Sequence, residues 1–308
     1  MMTFLSSYNN GKVAQRSKAS FRRPLRDVLT ETTRSMLGSR GSRIGALLVA
    51  FMLATAIIGP LAFPVDPNRQ DIANRFAGPS GSHLLGTDYL GRDLLARIIY
   101  GCRIAIAVAF GSITLSAMVG VILGLVSGYL EGSKLDYFII LIFDVVRSFP
   151  QVVLALAIVA VLGSSMLNLI LALAFTAFPF YGRITRAQAL SAKESDYVKA
   201  AEVLGLQRIK IIFRHIFPNI LAPVIVCLGM DMATMIIYEA GLSFLGLGVR
   251  PPSASWGIML RNGYKYIEVS PWMILWPAMA ISLAMIAFSL FSEGLRVALD
   301  PKERQRSV

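Results

Sequence analysis

The sequence predicts an all-α membrane protein with six transmembrane helices and both termini in the cytoplasm. Hydrophobic residues make up 55% of the 308 residues and charged residues only 16%, whereas a soluble domain carries about 25% charged residues. Several uncharged stretches reach the roughly 20 residues that a helix needs to cross a bilayer. Basic residues are concentrated in particular connectors, as expected when positive charge orients the helices.

The net charge of +12 does not indicate nucleic acid, because the basic residues are not interleaved with aromatic ones as in a single-strand binding groove. Cys102 and Cys227 lie beside or inside apolar stretches, which favours buried free thiols over a disulfide. The two histidines lie in different connectors, so no metal site is predicted. The first apolar stretch follows 43 residues, too late for an ordinary signal peptide, and is interpreted as an uncleaved anchor.

The predicted organisation is a basic cytoplasmic tail (1–43), a transmembrane domain (44–300) and a short cytoplasmic tail (301–308). The six spans are predicted at about residues 44–65, 104–130, 137–162, 166–182, 220–247 and 271–291. An external loop is predicted at 66–103, and a long basic connector on the cytoplasmic side is predicted at 183–219.

The first span is uncharged throughout, and the second carries glycines at a spacing of four: Gly120, Gly124 and Gly128. Residues four apart share a helix face. Such a stripe lets another helix approach closely in a membrane, although glycines without that role are also common in membrane helices. The sequence therefore predicts a close helix contact along this stripe.

The distribution of charge predicts two spans, the third and the fourth, where a single span is the alternative. Residues 148–182 are uncharged and too long for one ordinary span, and Gly163-Ser164-Ser165 offers a turn. A single span here would leave three crossings between the N-terminal tail, with nine Lys or Arg, and the connector, with seven. Two basic segments should share the cytoplasmic side, which favours four crossings. The fifth and sixth spans are flanked by Trp256, Trp272 and Trp276, which suit interfacial anchors.

The connector is predicted to form a helix, a glycine turn and a second, amphipathic helix. Ser195 is a suitable N-cap and Gly205 a suitable stop. The second helix has one apolar face with a spacing of i, i+3, i+4 and i+7, and Pro218 is expected to end it. That face consists of Ile209, Ile212, Phe213 and Ile216. The spacing leaves two interpretations open, a helix lying on anionic lipid and a helix docking in a groove of a cytoplasmic partner.

The connector also resembles the EAA loop of ABC importer permeases. That pattern is Glu-Ala-Ala, three residues, Gly, nine residues, Ile, any residue, Leu, Pro. The chain has Lys199-Ala200-Ala201, then Gly205, then Pro218. Lys199 replaces the Glu, His215 the Ile and Phe217 the Leu, and residues 214–219 look like the variant of the dipeptide/oligopeptide branch.

Three further motifs are similar to the C-type permease subunits of that branch. Residues 83–88 (HLLGTD) with 91–93 (GRD) are similar to their first external loop. Residues 239–248 (EAGLSFLGLG), followed by two prolines and 255–257 (SWG), resemble their fifth-span signature. Residues 294–296 (GLR) and 299–301 (LDP) resemble their C-terminal end, although Ser292-Glu293 stands where Gly-Asp is usual.

The resemblance implies the type I ABC importer permease fold in a bacterial inner membrane. It implies transport of di/oligopeptides or related solutes, a second permease subunit, two ATP-binding subunits and an external substrate-binding protein. Residues 197–204 are expected to pack on the permease and residues 205–211 to meet an ATPase. The ATPase-coupling residues implied are Lys199, Ala200, Ala201, Glu202, Gly205, Leu206, Arg208, Lys210, His215 and Pro218.

The chain itself is predicted to be non-catalytic and to bind no cofactor, with ATP and magnesium on the partner ATPases. It has no Gly-x-x-x-x-Gly-Lys-[Ser/Thr] phosphate loop, since its one Gly-Lys pair, Gly11-Lys12, is followed by Val13. No nucleophile is paired with a suitable base.

Four charged residues are predicted within the membrane, where charges are costly and often functional. Asp144 and Arg147 are three apart and are expected to pair. Glu239 is expected to cap a broken helix at a glycine-rich bend, and Asp231 is the favoured candidate for facing a water-filled pathway. Two rival hypotheses remain: an ion-coupled secondary transporter using Asp231 and Glu239, and a structural membrane protein whose connector binds only lipid.

Overall fold

The computed structural model describes residues 39–299, so the predicted tails lie almost entirely outside the described residues. All regular elements in this range are helical. They are α1 (Arg40–Ile57), α2 (Gly59–Ala62), a 3₁₀ turn (Ile72–Asn74), α3 (Leu94–Tyr129), α4 (Lys134–Arg147), α5 (Gln151–Leu162), α6 (Met166–Lys193), α7 (Asp196–Val203), α8 (Arg208–Ile211), a π-helical segment (Ile212–Ile216), α9 (Phe217–Phe244), α10 (Trp256–Lys265) and α11 (Trp272–Leu299).

Five of these helices, α1, α3, α6, α9 and α11, are long and apolar enough to cross a membrane. The pair α4 and α5 meets the same criterion together but is bent by 87°. The prediction of one continuous helix over 137–162 is therefore wrong. Pro150 lies at the break and is the N-cap residue of α5. The helix is interrupted there because proline lacks an N–H group and disfavours helical geometry in the residue before it.

Several helices extend past the apolar stretches that predicted them. α3 begins at Leu94, ten residues before the predicted start, because the Asp93 side chain caps it by accepting a hydrogen bond from the Ala96 N–H. α6 continues beyond residue 182 to Lys193, and α11 continues to Leu299. Hydropathy marks the part of a helix that suits lipid, whereas hydrogen bonding and capping determine where the helix ends.

The core of the bundle lies along the contact between α3 and α6, which the glycine stripe creates. A Cβ atom at Gly120 would lie 2.4 Å from the Phe178 carbonyl oxygen, and one at Gly124 would lie 2.3 Å from the Gly182 oxygen. At Gly128 it would lie 2.8 Å from the Ala189 Cβ. No side chain fits at these three positions, so the predicted close contact is confirmed.

One end of the bundle, called the loop end, carries residues 58–93 and 245–271. The loop-end segments are joined across long sequence distances. The Trp256 indole donates to the Ile98 carbonyl at 3.0 Å, and the Trp276 indole donates to the Leu85 carbonyl at 3.0 Å. Tyr266 stacks on Tyr89, with 5.4 Å between ring centroids. Trp256 and Trp276 thus have specific hydrogen-bond partners, and Trp272 stacks on Trp276.

The HLLGTD and GRD motifs form the loop-end fold itself. The two oxygens of Asp88 accept hydrogen bonds from the Leu90 and Arg92 N–H groups and from Arg92 Nε, the last at 2.6 Å. Gly91 has φ +72°, and a Cβ there would lie 1.7 Å from the Asp71 carbonyl oxygen. His83 Nδ1 lies 2.9 Å from Asp93, the residue that caps α3. These motifs therefore have a direct structural role.

Candidate functional site

The connector at the opposite end of the bundle, called the connector end, holds the predicted coupling residues. α7 ends in a Schellman motif: the Leu206 N–H donates to the Ala201 carbonyl at 3.1 Å and the Gly205 N–H donates to the Glu202 carbonyl at 2.9 Å. Gly205 has φ +74°, a conformation that side chains disfavour. The predicted stop at Gly205 is confirmed, and the chain turns there between two short helices.

The second helix of the connector differs from the prediction. Residues 212–216 form a π-helical turn, in which the Phe217 N–H donates to the Ile212 carbonyl five residues before it. Pro218 does not end the helix but lies in the first turn of α9, where its missing N–H group is tolerated. The extra residue in the π turn rotates the segment, so the predicted single apolar face does not form.

Burial along the connector follows this rotation. Ile211, Ile216 and Ile220 are all buried, with the spacing of five and then four that a π turn followed by an α-helix produces. In α7, Val198 and Ala201 are buried against the bundle. The connector is therefore fixed to the bundle by one row of small and aliphatic side chains.

The connector also leaves large apolar side chains uncovered. We call these four residues the connector patch; their exposed fractions are 87% for Val203, 79% for Leu204, 69% for Ile209 and 63% for Phe213. An exposed apolar cluster with basic neighbours typically marks an interaction site. The expected division between residues 204 and 205 is not followed by burial: Val203 and Leu204, which were expected to pack on the permease, are exposed, and Ile211, which was expected to meet an ATPase, is buried.

The other predicted coupling residues fall on both sides of this division. Those that the structure describes as exposed are Lys199, Ala200, Glu202, Gly205, Lys210 and Pro218, whereas Ala201 is buried and Leu206 is half-buried. The side chains of Arg208 and His215 lie outside the described residues. The structure thus leaves six of these ten positions exposed.

An ion pair that the sequence analysis missed supports the connector end. Asp136, 2% exposed, accepts hydrogen bonds from Arg186 Nε at 2.9 Å and from the Ser127 hydroxyl. The Gly132 N–H donates to its second oxygen at 3.0 Å. The cluster joins α3, α4 and α6 just before the connector leaves α6. Sequence spacing gives no signal for it, because Asp136 and Arg186 are 50 residues apart.

The charges predicted within the membrane have different partners from those expected. Asp144 pairs with Arg183 of α6, not with Arg147. The Asp231 carboxylate accepts a hydrogen bond from the buried Tyr181 hydroxyl at 2.7 Å, which links α9 to α6. Asp231 itself is half-buried.

Glu239 does not cap a broken helix, because α9 continues past it to Phe244. It is fully buried, and its Oε1 accepts hydrogen bonds from Ser243 at 2.8 Å and from Ser255 at 2.7 Å. Ser255 is the N-cap residue of α10, so Glu239 holds the start of α10 against the end of α9. Its Oε2 has no hydrogen-bond partner among the described residues.

No group of three His, Cys, Asp or Glu residues within 39–299 is arranged to hold a metal ion. Cys102 and Cys227 are both free thiols; Cys102 is buried as predicted, whereas Cys227 is only half-buried. The geometry of the described residues therefore offers an interaction surface and buried structural charges.

The chain matches known proteins over most of its length. Residues 120–305 match the family model described as "Binding-protein-dependent transport system inner membrane component". The dipeptide transport system permease protein DppC of Alkalihalophilus pseudofirmus is 39% identical over 84% of this chain and 85% of its own length. The probable D,D-dipeptide transport system permease protein DdpC of Escherichia coli is 39% identical over 86% and 89%. The glutathione transport system permease protein GsiD of Pectobacterium atrosepticum is 39% identical over 83% and 85%.

The fold is also found among solved structures. A chain of the MetNI methionine ABC transporter in an inward facing conformation superposes with a TM-score of 0.55 at 17% identity. The match covers 66% of this chain and 96% of that one. It shows a shared fold over the larger part of the bundle.

Proposed function

Because the chain belongs to the binding-protein-dependent transport system inner membrane components, we propose that it is one of two permease subunits of an ATP-driven importer for di/oligopeptides or related small solutes. Members of this family are non-catalytic, multi-pass components of the bacterial inner membrane. Each permease would form half of the translocation pathway. The names of its relatives support peptides as the solute class, since these include dipeptide, D,D-dipeptide and glutathione permeases.

The proposed topology has six crossings, with the bent pair α4–α5 as one of them and both termini in the cytoplasm. The nine basic residues of 1–43 and the seven of 183–219 support this orientation. It places the connector end in the cytoplasm and the loop end outside, where a substrate-binding protein would deliver the solute.

The connector patch is the observation that carries the proposed coupling role. It places four large apolar side chains on a firmly seated helix-turn-helix, the geometry that a groove on a partner protein accepts. Two cytoplasmic ATP-binding subunits, which would hold ATP and magnesium, are the proposed partners. Closure of the ATPase pair would push on the patch and move α6 and α9, between which the connector runs.

The rival hypotheses have less support. An ion-coupled carrier would use Asp231 and Glu239, but Asp231 accepts a hydrogen bond from Tyr181 and Glu239 joins α9 to the start of α10. A lipid-bound connector would explain exposed apolar side chains but not the match of the chain to transport-system permeases over most of its length.

The test is to tag the permease, solubilise the assembled complex and measure which subunits co-purify and whether ATP drives dipeptide uptake. Leu204→Glu places a charge in the patch and should remove the ATPases and abolish uptake. Leu84→Glu is the matched control, since Leu84 is also largely exposed, at 60%, but lies at the loop end. ATPases retained by Leu204→Glu with normal uptake would refute the docking role. A chain that stays alone and transports without ATP would favour the ion-coupled carrier.

A further inference from the structure

A cavity of about 400 Å³ opens at the loop end. Its walls come from the loop before α3, the first turn of α3, the turn between α5 and α6, the end of α9 and the length of α10. Five basic side chains line it: Arg92, Arg97, Arg250, Arg261 and Lys265. This concentration of positive charge in one concave site is not explained by the coupling role at the opposite end of the bundle.

Two of the five basic residues form a fixed, buried side of the cavity. Arg97 is 1% exposed and donates to the Pro67 carbonyl at 2.9 Å. Arg92 is 6% exposed and bonds to Asp88 at 2.6 Å. The Asp88 carboxylate lies 3.9 Å from Arg97 Nε, so one negative charge is shared between two guanidinium groups. This side of the cavity keeps a net positive charge.

The other three basic residues have no ion-pair partner within residues 39–299. Arg250, Arg261 and Lys265 are exposed and come from the loop after α9 and from α10. They face the cavity together with Arg92 and Arg97, although like charges repel. Such an arrangement is unfavourable in isolation and becomes favourable when an anion binds among the positive charges.

Two glycines with positive φ lie next to the guanidinium groups. Gly246 has φ +88°, and a Cβ there would lie 2.4 Å from Arg261 Nη1. Gly163 has φ +84°, and a Cβ there would lie 3.4 Å from Arg250 Nη2. The backbone of the α9 end and of the α5–α6 turn therefore comes close to these two guanidinium groups.

We propose that this cavity binds the carboxylate of the incoming solute at the external mouth of the pathway. Arginine side chains pair with carboxylates through two parallel hydrogen bonds, and Tyr89, Asn262 and Ser164 supply neutral hydrogen-bonding groups along the same walls. The volume falls within the range of small-molecule sites. The inference rests on the proposed import of peptides, whose free C-terminus is a carboxylate.

A small anion suits the cavity better than an acidic protein surface. The cavity is concave and about 400 Å³ in volume, which admits a single carboxylate or phosphate group, and the buried Arg92 and Arg97 add positive charge from its wall. The same oxyanion chemistry would also accept the phosphate of a lipid headgroup, so the experiment must separate these two sources.

The first measurement compares uptake of dialanine with uptake of dialanine amide by the complete transporter and its binding protein. The same binding protein serves every variant, so a change in the ratio of the two uptake rates reports on the permease. Arg261→Gln and Arg250→Gln should each lower the preference for the free carboxylate by about tenfold, the loss expected for a charge-assisted hydrogen bond. Arg69→Gln is the control, because Arg69 is exposed at the loop end and does not line the cavity.

The second measurement does not depend on the binding protein. The complete complex in phosphatidylcholine nanodiscs is treated with an amine-reactive reagent, and the labelling of Lys265 is followed by mass spectrometry. N-acetyl-dialanine should protect Lys265 and its amide should not, while the exposed Lys134, outside the cavity, should be labelled equally in both.

The outcomes separate the two proposals. If the wild-type complex takes up no peptide, the proposed solute class fails. If it takes up dialanine but Arg261→Gln and Arg250→Gln leave the preference unchanged, the carboxylate site is refuted. If Lys265 is protected in nanodiscs and neither peptide changes that protection, the site belongs to the lipid phosphate and the solute assignment is refuted.

Discussion

The contact between α3 and α6 gives a prediction whose size follows from the structure. In Gly124→Ala the new Cβ would lie 2.3 Å from the Gly182 carbonyl oxygen and 2.8 Å from the Thr185 Cβ. Ordinary C···O contacts are about 3.3 Å or longer, so the helices must separate locally by about 1 Å. Overpacking of this kind costs about 1–3 kcal/mol. The gap would also loosen the neighbouring glycine contacts along the same stripe.

The assay is the melting temperature of the purified complex, followed by fluorescence-detected size-exclusion chromatography. We expect a decrease of about 2–12 °C for Gly124→Ala, because 1 kcal/mol lowers the melting temperature of a domain of about 150–250 residues by roughly 2–4 °C. Gly241→Ala is the matched control, since Gly241 is also helical but has nothing within 4 Å of an added Cβ. If both variants melt at the wild-type temperature, the helices do not make the close contact described.

Three further predictions concern single residues. Asp136→Asn leaves Arg186 without its charged partner and should destabilise the complex by about 2 kcal/mol. This is less than the loss for a fully buried pair, because Arg186 is 25% exposed. An unchanged melting temperature would contradict this prediction. Asp231→Asn keeps an oxygen for its tyrosine partner and should assemble normally but impair uptake, and normal uptake would exclude a pathway role. Gly91→Ala should make the loop end more sensitive to protease, because Gly91 has φ +72° and an added Cβ has no room there. Gly81→Ala is the control and should behave as wild type, since nothing lies within 4 Å of an added Cβ. Equal protease resistance of the two variants would count against the described loop.

The sequence predicts those features that depend on one helix at a time. The glycine stripe was recognisable because Gly120, Gly124 and Gly128 lie four residues apart on one face. The turn at Gly205 was recognisable because glycine favours the backbone conformation that ends a helix. Segments that cross a membrane were recognisable because each contains a long run of residues without a charged side chain. Each of these signals is local and needs no knowledge of a neighbour.

The failures share the opposite cause, since they depend on residues distant in sequence. The pairing of Asp144 with Arg183 and of Asp136 with Arg186 requires knowing how α4 packs against α6. The basic cavity collects side chains from Tyr89 to Lys265, which no periodicity brings together. The π turn is local, but its insertion changes which residues face inward. A strict helical period therefore groups Ile216 with Ile209 and Phe213, although Ile216 is buried and the other two are exposed.

The two proposed sites are connected through α9, which follows the π turn of the connector without interruption and ends beside the basic cavity. α3 contains 36 residues and is therefore roughly 54 Å long; its first turn lines the basic cavity, and at its far end Lys193 of α6 lies 6.0 Å from the centroid of the Tyr129 ring. The connector leaves α6 at Lys193 and continues through the π turn directly into α9, whose last residues line the cavity again. A displacement of the connector patch must therefore move α6 and α9. Because the glycine contacts hold α6 to α3, the movement of α9 relative to that pair would alter the spacing of the cavity walls.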